Sequence, residues 1–243
     1  MNGGERWCLW LAEAEPSLLR SIPPIRERLL AVRSFRLASK KVPTQKAAER
    51  PAEFAEMRQP PGSYVVIRMH TSETRTYVPL GFFGPKDIVH NSCTCVPGAG
   101  LFEFGIISSL LHMEWLRHVG GRLESRYRYA NTLVYNTFPW PGTTPAQRAK
   151  IEALAQAVLD DRAAYPTSSL ADLYDPDTMQ PPLRKAHAAL DLAVDRLYRA
   201  APFASDRDRV EQLFGRYEAL VNPLGHEAIR QNRRVNRKRG SGM

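Results

Sequence analysis

The chain has 243 residues, 43% of them hydrophobic and 24% charged, which is enough apolar material to bury a core in one large domain or two small ones. Its 34 lysines and arginines against 25 aspartates and glutamates give a net charge of +9 and a pI near 9.7; this excludes an acidic disordered tail and points to a polyanionic partner. No apolar run approaches the roughly 18 residues of a membrane span, and no basic n-region with an apolar stretch marks a signal peptide. Three cysteines without a CxxC argue against a disulfide framework or a four-ligand zinc site, so a soluble, reducing, cytoplasmic setting is expected.

The charge is uneven. Residues 1–140 hold 18 basic and 12 acidic residues, net +6; residues 141–229 hold 10 and 13, net −3; residues 230–243 hold six basic residues and no acid. A boundary is expected near Pro139-Trp140-Pro141-Gly142, a stiff, helix-incompatible junction. The overall expectation is an α+β chain: a mixed α/β domain over 1–140, a small all-α helical domain over 142–229, and a basic tail over 230–243 that is disordered when free.

In chain order, residues 5–12 read as a buried strand. Pro23-Pro24 opens a helix with Ile25, Leu29 and Val32 on one side. Arg26, Arg33, Arg36 and Lys40 fall within one arc at about 100° per residue, either a solvated face or a phosphate-facing stripe. Residues 41–62 read as a loop. Tyr64–Met69 and Thr74–Leu80 read as strands, with His70, Thr71, Ser72 and Glu73 in the turn between them. Ile106–Val119 reads as an amphipathic helix stopped by Gly120-Gly121, and Arg126–Tyr135 as a tyrosine-rich strand.

Beyond the junction only helices are expected. Thr144, Pro145 and Gln147 form a helix start, with Ile151, Leu154, Val158 and Leu159 on its apolar face. A second helix after Pro182 carries Leu183, Ala186, Leu190, Val194 and Leu197. Ser205 with Asp208 caps a third, with Val210, Leu213, Phe214, Tyr217 and Leu220 inward, ended by Asn222-Pro223. Three such stripes suggest a small bundle.

Catalytic signatures are sparse. There is no GxSxG, HExxH, Walker loop or Rossmann GxGxxG. Pro97-Gly98-Ala99-Gly100 superficially resembles a loop that cradles S-adenosylmethionine, but no βαβ repeat follows it; a glycine-rich turn before a helix is the simpler reading. No Asp/Asn-Pro-Pro-Tyr/Phe motif is present to grip a flipped base. Cys93 and Cys95, near His90, read as small hydrophobes rather than metal ligands. His112, His118, His187 and His226 read as isolated surface or core histidines, and Asp175, Asp177, Asp191 and Asp195 as helix-cap and surface residues.

The stretch from Gly121 to Pro141 is the most informative. At period 2, Glu124, Arg126 and Arg128 share one face of a strand and Tyr127 and Tyr129 the other. Adjacent Glu and Arg side chains can read a G·C pair: Arg bonds guanine O6 and N7, Glu accepts from the cytosine N4 amine, and each such contact is worth about 1–3 kcal/mol of discrimination. An ordinary cross-strand charge cluster is the alternative.

Four separated stretches carry a family resemblance. They are Asn2-Gly-Gly-Glu-Arg-Trp-Cys-Leu-Trp-Leu11, Ser72-Glu-Thr-Arg-Thr-Tyr-Val-Pro-Leu-Gly-Phe82, Arg126-Tyr-Arg-Tyr129 through Val134-Tyr-Asn-Thr-Phe-Pro-Trp-Pro141, and Ser168 to Pro176 with Met179. The chain resembles the MmeI-like fused restriction–modification enzymes, grouped as type IIL, in which a nuclease, a helical linker, an adenine-N6 methyltransferase, a target recognition domain and a C-terminal helical domain share one polypeptide. The resemblance covers the last two domains. It implies a target recognition domain over 1–140 that binds double-stranded DNA and a C-terminal helical domain from 142. It implies that Glu124 and Arg126 read a base pair, with Asn91 near a second reading position or an ordinary loop asparagine. It implies that Ser72, Arg75 and Tyr77 position the DNA backbone; the basic arc of the helix adds Arg26 and Arg33, and the charged strand Arg128, to the expected backbone contacts.

The adenine-gripping motif, the cofactor loop and the nuclease carboxylates of that family belong upstream. The chain itself is therefore expected to need no cofactor and not to be catalytic, while S-adenosylmethionine and magnesium serve the upstream methyltransferase and nuclease domains. Those domains, on the same polypeptide or a partner subunit, are the expected partners. The chain could be a piece of a longer enzyme, a separate specificity subunit or a truncated gene remnant; Met1 falling just before Asn-Gly-Gly favours a cut piece. Two other functions stay open: a stand-alone methyltransferase using the Gly98–Gly100 loop, and a protein-interaction module without a DNA role.

Overall fold

Proline sets the helix starts in the first part of the chain. In this computed structural model, which describes residues 6–223, prolines sit in the first turns of α1 (Pro16–Ser21), α2 (Pro23–Leu37) and α3 (Val42–Lys46), where a missing N–H costs nothing. These helices and a single 3-10 turn (Ala47–Glu49) belong to a compact unit spanning Gly4–Gln59. Residues 41–62, expected as loop, thus hold α3 and the 3-10 turn. The expected strand over 5–12 does not form: residues 6–11 have no regular structure and Trp7 is 91% exposed, although Trp10 stacks on Phe54.

On α2 the face bearing Ile25, Leu29 and Val32 is half-buried. Arg36 lies on that same face: its helical angle falls between those of Ile25 and Leu29. Its guanidinium donates to the carbonyls of Ala47 (2.8 Å), Arg50 (2.9 Å) and Glu53 (2.7 Å), ending the turns that follow. Arg36 therefore leaves the basic arc expected of it, while Arg26 and Arg33 remain exposed.

The second unit begins at Pro60. Its strands are β1 (Tyr64–Arg68), β2 (His70–Thr71), β3 (Leu80–Phe83), β4 (Cys93–Pro97), β5 (Gly121–Leu123) and β6 (Arg126–Arg128). They form two three-stranded antiparallel sheets, ordered β3-β1-β4 and β2-β6-β5. One run of chain serves both. Arg68 pairs with Cys93 in the first sheet and His70 with Arg128 in the second. Met69 between them donates to Ser92 O (3.0 Å) and accepts from Tyr129 N (2.7 Å). The expected strand over 74–80 is instead a turn, and β3 starts only at Leu80. The expected strand over 126–135 ends at Arg128, because the chain then folds back through turns onto Ala130 O.

The expected helix over 106–119 is two, α4 (Leu101–Ile107) and α5 (Leu110–Val119). The break is chemical. The hydroxyls of Ser108 and Ser109 donate to Gly105 O and Ile106 O, competing with the backbone ladder, and Ser109 then caps α5 by accepting from His112 N.

The remaining residues are helical: α6 (Pro145–Ala163), α7 (Leu170–Leu173), α8 (Pro181–Tyr198) and α9 (Asp206–Val221). Thr144 and Gln147 form a reciprocal capping box at the start of α6. Ile151, Val158, Leu183, Leu190, Val194, Val210 and Leu213 are buried; Phe214 and Leu220, expected inward, are 43% and 66% exposed.

These helices do not form a core of their own. One cluster of buried side chains runs from Val65 through Phe104, Trp115 and Phe138 to Ile151, Leu190 and Leu213. Gly105 on α4 lies so close to α6 that a Cβ there would meet Ile151 Cγ2 at 2.8 Å. Polar groups cross the same seam. Arg162 on α6 donates to Leu80 O and to the Tyr174 hydroxyl, and the Tyr198 hydroxyl donates to Pro139 O. Asp191 and Asp195, expected at the surface, are buried on α8; Asp195 holds Arg209 at 2.8 Å. No helix among the described residues is long and apolar enough to cross a membrane. His226 and the basic tail over 230–243 lie outside the described residues.

Candidate nucleic-acid interface

The hairpin of β5 and β6 is the centre of the candidate site. Leu123 pairs with Arg126, Arg122 with Tyr127 and Gly121 with Arg128, leaving Glu124 and Ser125 as a two-residue turn. The alternation along β6 follows the sequence reading: Arg126 and Arg128 are exposed, Tyr127 and Tyr129 buried. Glu124 does not. It sits in the turn rather than on the strand, at φ 58°, the only residue other than glycine with positive φ among those described. Two-residue hairpins require this left-handed geometry and normally fill it with glycine; a larger side chain there carries strain of about 1 kcal/mol or more.

That turn still brings the two expected base-reading residues together. Arg126 donates to the Glu124 carboxylate at 2.6 Å, with both side chains largely exposed. An exposed pair of this kind is worth about 0–1 kcal/mol, less than either bond to a base edge, so it opens readily for a better partner. Arg122 lies over the Tyr127 ring at 4.3 Å and donates to Ser125 O. The Glu73 carboxyl sits below its ordinary value, through its own backbone N–H first, then the Ser125 hydroxyl, with Arg126 and Arg122 adding to it. Three charged side chains thus brace the turn.

The hairpin is anchored in the core. Tyr129 hydrogen-bonds His112 Nε2 at 3.0 Å, and burial depresses His112 to about 3, so the imidazole is neutral at ordinary pH. At Gly120, where α5 hands over to β5, a Cβ would meet Leu116 O at 2.5 Å; only glycine permits this approach.

Beside the hairpin is an open basin of about 180 Å³, lined by Arg68, His70, Thr71, Ser72, Arg75, Pro79 and Arg126. Ser72, Arg75 and Arg126 were expected at the site from sequence; Arg68, His70 and Thr71 were not. Arg68 and His70 alternate along one run of strand, and only the switch of sheets at Met69 carries that run to the hairpin. Burial holds the Arg75 guanidinium below its ordinary value, helped by the charge of Arg68. Its Nη1 reaches Leu170 O at 3.4 Å, and its own carbonyl accepts from Arg117.

Tyr77 does not join this group. It is buried, stacks on His187 at 4.0 Å and donates to Asp191 at 2.8 Å, so its position is that of a core residue rather than a DNA contact. Asn91 is exposed, in the loop whose Ser92 carbonyl holds Met69. Arg128 is exposed on β6. Arg26 and Arg33 belong to the other compact unit.

The Gly98–Gly100 loop joins β4 to α4, with Gly98 at φ 67°. Its setting is an antiparallel sheet rather than the parallel βαβ of a nucleotide cradle, and Glu103 already accepts from Gly100 N at 2.8 Å. No cluster of three or more metal-ligating side chains occurs among the described residues.

An α+β unit with an arginine-lined basin beside a paired Glu and Arg on an exposed turn has the chemistry of a polyanion reader. The comparisons with known proteins identify its family. The family model described as MmeI, target recognition domain, matches residues 1–142, and that described as MmeI, C-terminal domain, matches residues 143–225. The chain therefore belongs to the MmeI family, with a match to its target recognition domain followed by one to its C-terminal domain. It is 37% identical over 221 residues to DNA methyltransferase A of Bacillus subtilis (strain 168), covering 91% of this chain and 25% of that protein. It is similar to the solved structure of the type IIL restriction–modification enzyme MmeI in complex with DNA, with TM-score 0.86 and 43% identity over 88% of this chain and 29% of that one. The chain thus spans between a quarter and a third of the length of these relatives. The family models meet at residues 142 and 143, whereas the compact units part between Gln59 and Pro60; the family boundary runs through a shared core.

Proposed function

We propose that this chain is the sequence-specific DNA recognition part of a restriction–modification DNA methyltransferase. The observation that carries the reading is the Glu124–Arg126 pair at 2.6 Å on an exposed hairpin turn, set beside the arginine-lined basin. On a duplex, Arg126 turns to guanine O6 and N7 and Glu124 to the cytosine N4 amine of the same G·C pair. Arg128 and Asn91, both exposed, reach neighbouring groups of the duplex; the exposed Arg26 and Arg33 contact phosphates and carry no sequence information.

The chain contributes recognition rather than chemistry. Methyl transfer, with S-adenosylmethionine, and DNA cleavage, with magnesium, belong to methyltransferase and nuclease domains with which this part works. The stand-alone methyltransferase is disfavoured by the antiparallel setting of the Gly98–Gly100 loop, and a purely protein-docking role leaves the basic basin without a purpose.

The test is selection from a random duplex pool at about 150 mM salt, with the chain and with its Glu124→Lys, Arg126→Asp variant. The expected result is a short motif with a fixed G·C pair whose identity changes in the variant while general DNA affinity persists. An unchanged preference in the variant would refute the assignment.

A further inference from the structure

The basin beside the hairpin has the chemistry of an anion site. Arg68 and Arg75 both line it, and neither forms an ion pair within 4.0 Å among the described residues. Both guanidiniums face the same basin, and the charge of Arg68 disfavours that of Arg75 while Asp175 acts the other way. Like charges held together in this way are relieved by an anion between them. The Arg75 guanidinium reaches Leu170 O at 3.4 Å and its backbone carbonyl accepts from Arg117, so part of the ordering entropy is met before a ligand arrives. Ser72 lines it too, its hydroxyl 2.9 Å from that of Thr74. Thr71, also lining the basin, is 5% exposed, and its hydroxyl oxygen has no hydrogen-bond partner in the protein. A buried hydroxyl left unpaired is unfavourable unless something arrives to bond it.

We infer that this basin is a built site for a single backbone phosphate of the duplex, gripped by Arg68 and Arg75 with the hydroxyls of Ser72 and Thr71, and that it sets the register of the adjacent reading turn. The inference rests on the DNA-recognition reading and adds to it which residues hold the backbone nearest the base pair read. Arg126 borders the basin and also bonds Glu124. A phosphate seated there therefore fixes where the Glu124–Arg126 pair meets the groove. Phosphate contacts position a protein and base contacts specify; here one arginine stands between the two.

The test measures duplex affinity of the full chain from about 50 to 200 mM salt, for the native protein, Arg68→Ala, Arg75→Gln and, as a control, Lys86→Ala. Lys86 is exposed in the loop at the opposite end of β1, where Asp87 O accepts from Tyr64. Each phosphate neutralised contributes about 0.9 to the slope of log affinity against log salt. The expected result is a slope shallower by up to about 0.9 for Arg68→Ala, because Arg75 still faces the phosphate, and an unchanged slope and base preference for Lys86→Ala. Arg68 is exposed, so its variant folds even if Arg75→Gln does not. Native binding with the same slope in Arg68→Ala as in the native chain overturns the phosphate site and leaves the recognition reading standing. No retention of native chain on duplex at 50 mM salt overturns both.

Discussion

The Tyr77 hydroxyl donates to Asp191 Oδ2 at 2.8 Å across 114 residues of sequence, joining the segment before β3 to the middle of α8. Asp191 Oδ1 accepts from Leu110 N at 2.7 Å, so one carboxylate ties α8 both to the strand region and to the start of α5. Tyr77 also stacks on His187, which hydrogen-bonds Tyr174, itself held by Arg162. This chain of buried polar groups crosses the family boundary at residue 143.

Removing the Tyr77 hydroxyl leaves Asp191 with one fewer donor in a buried setting. Tyr77→Phe is expected to destabilise the chain by about 1–3 kcal/mol, read as a lower urea midpoint. Because Tyr77 is remote in chemistry from the reading turn, base preference in a duplex selection stays as in the native protein. A loss of DNA binding without a loss of stability would return Tyr77 to the backbone-contact role expected from sequence.

Burial raises Asp191 to about 6, against the pull of Leu110 N and Tyr77, with Asp195 adding to the rise and Arg209 opposing it. A carboxyl whose folded value lies above its unfolded value of 3.8 favours the fold most when protonated. That contribution is complete below about pH 3.8 and is lost as pH rises through about 6. Stability of the native chain relative to Asp191→Asn is therefore expected to fall between pH 4 and 6.5, by up to about 3 kcal/mol at 1.36 kcal/mol per pH unit. Parallel stability curves for the two proteins over that window would show that Asp191 does not titrate there.

Glu124 occupies a position that suits glycine. Glu124→Gly relieves the positive-φ strain, so the chain is expected to lose no stability. Removing the carboxylate also removes the acceptor for the cytosine amine. Discrimination for the fixed G·C pair is expected to fall by about 1–3 kcal/mol, roughly 5- to 150-fold. Retained discrimination in this variant would assign the carboxylate a purely structural part in bracing Arg126.

Gly105 is where α4 meets α6. An added methyl would lie 2.8 Å from Ile151 Cγ2 and 3.3 Å from Ala155 Cβ, inside a core with no slack. Gly105→Ala is expected to destabilise by about 1–3 kcal/mol through overpacking, with a single cooperative transition for the unit from Pro60 onward. Two separated transitions, with only the helical one displaced, would show that the C-terminal helices fold independently.

Much of the local structure is legible in the residues. Pro-led helix starts, the Thr144–Gln147 capping box, the apolar stripes on α6 and α8, and the alternation of Arg126 and Arg128 with Tyr127 and Tyr129 all depend on groups within four residues of each other. The pairing of Glu124 with Arg126 was legible for the same reason, although the geometry is a turn and not a strand. Residues 106–119 read as one helix because the apolar period continues through Ser108 and Ser109, whose hydroxyls break it into two.

By itself, then, the sequence determined the secondary elements with strong local signals, the excess of positive charge, and the motifs by which the family is recognised. Only the tertiary structure decided that the helices after residue 143 complete the core of the residues before it, that Tyr77 faces Asp191, and that Arg68 and His70 stand beside Arg126. These depend on strand register and on burial between segments tens of residues apart, as in the pairing of His70 with Arg128. A tyrosine bound for the core and one bound for DNA carry the same local pattern, because what separates them is which distant surface closes over the ring.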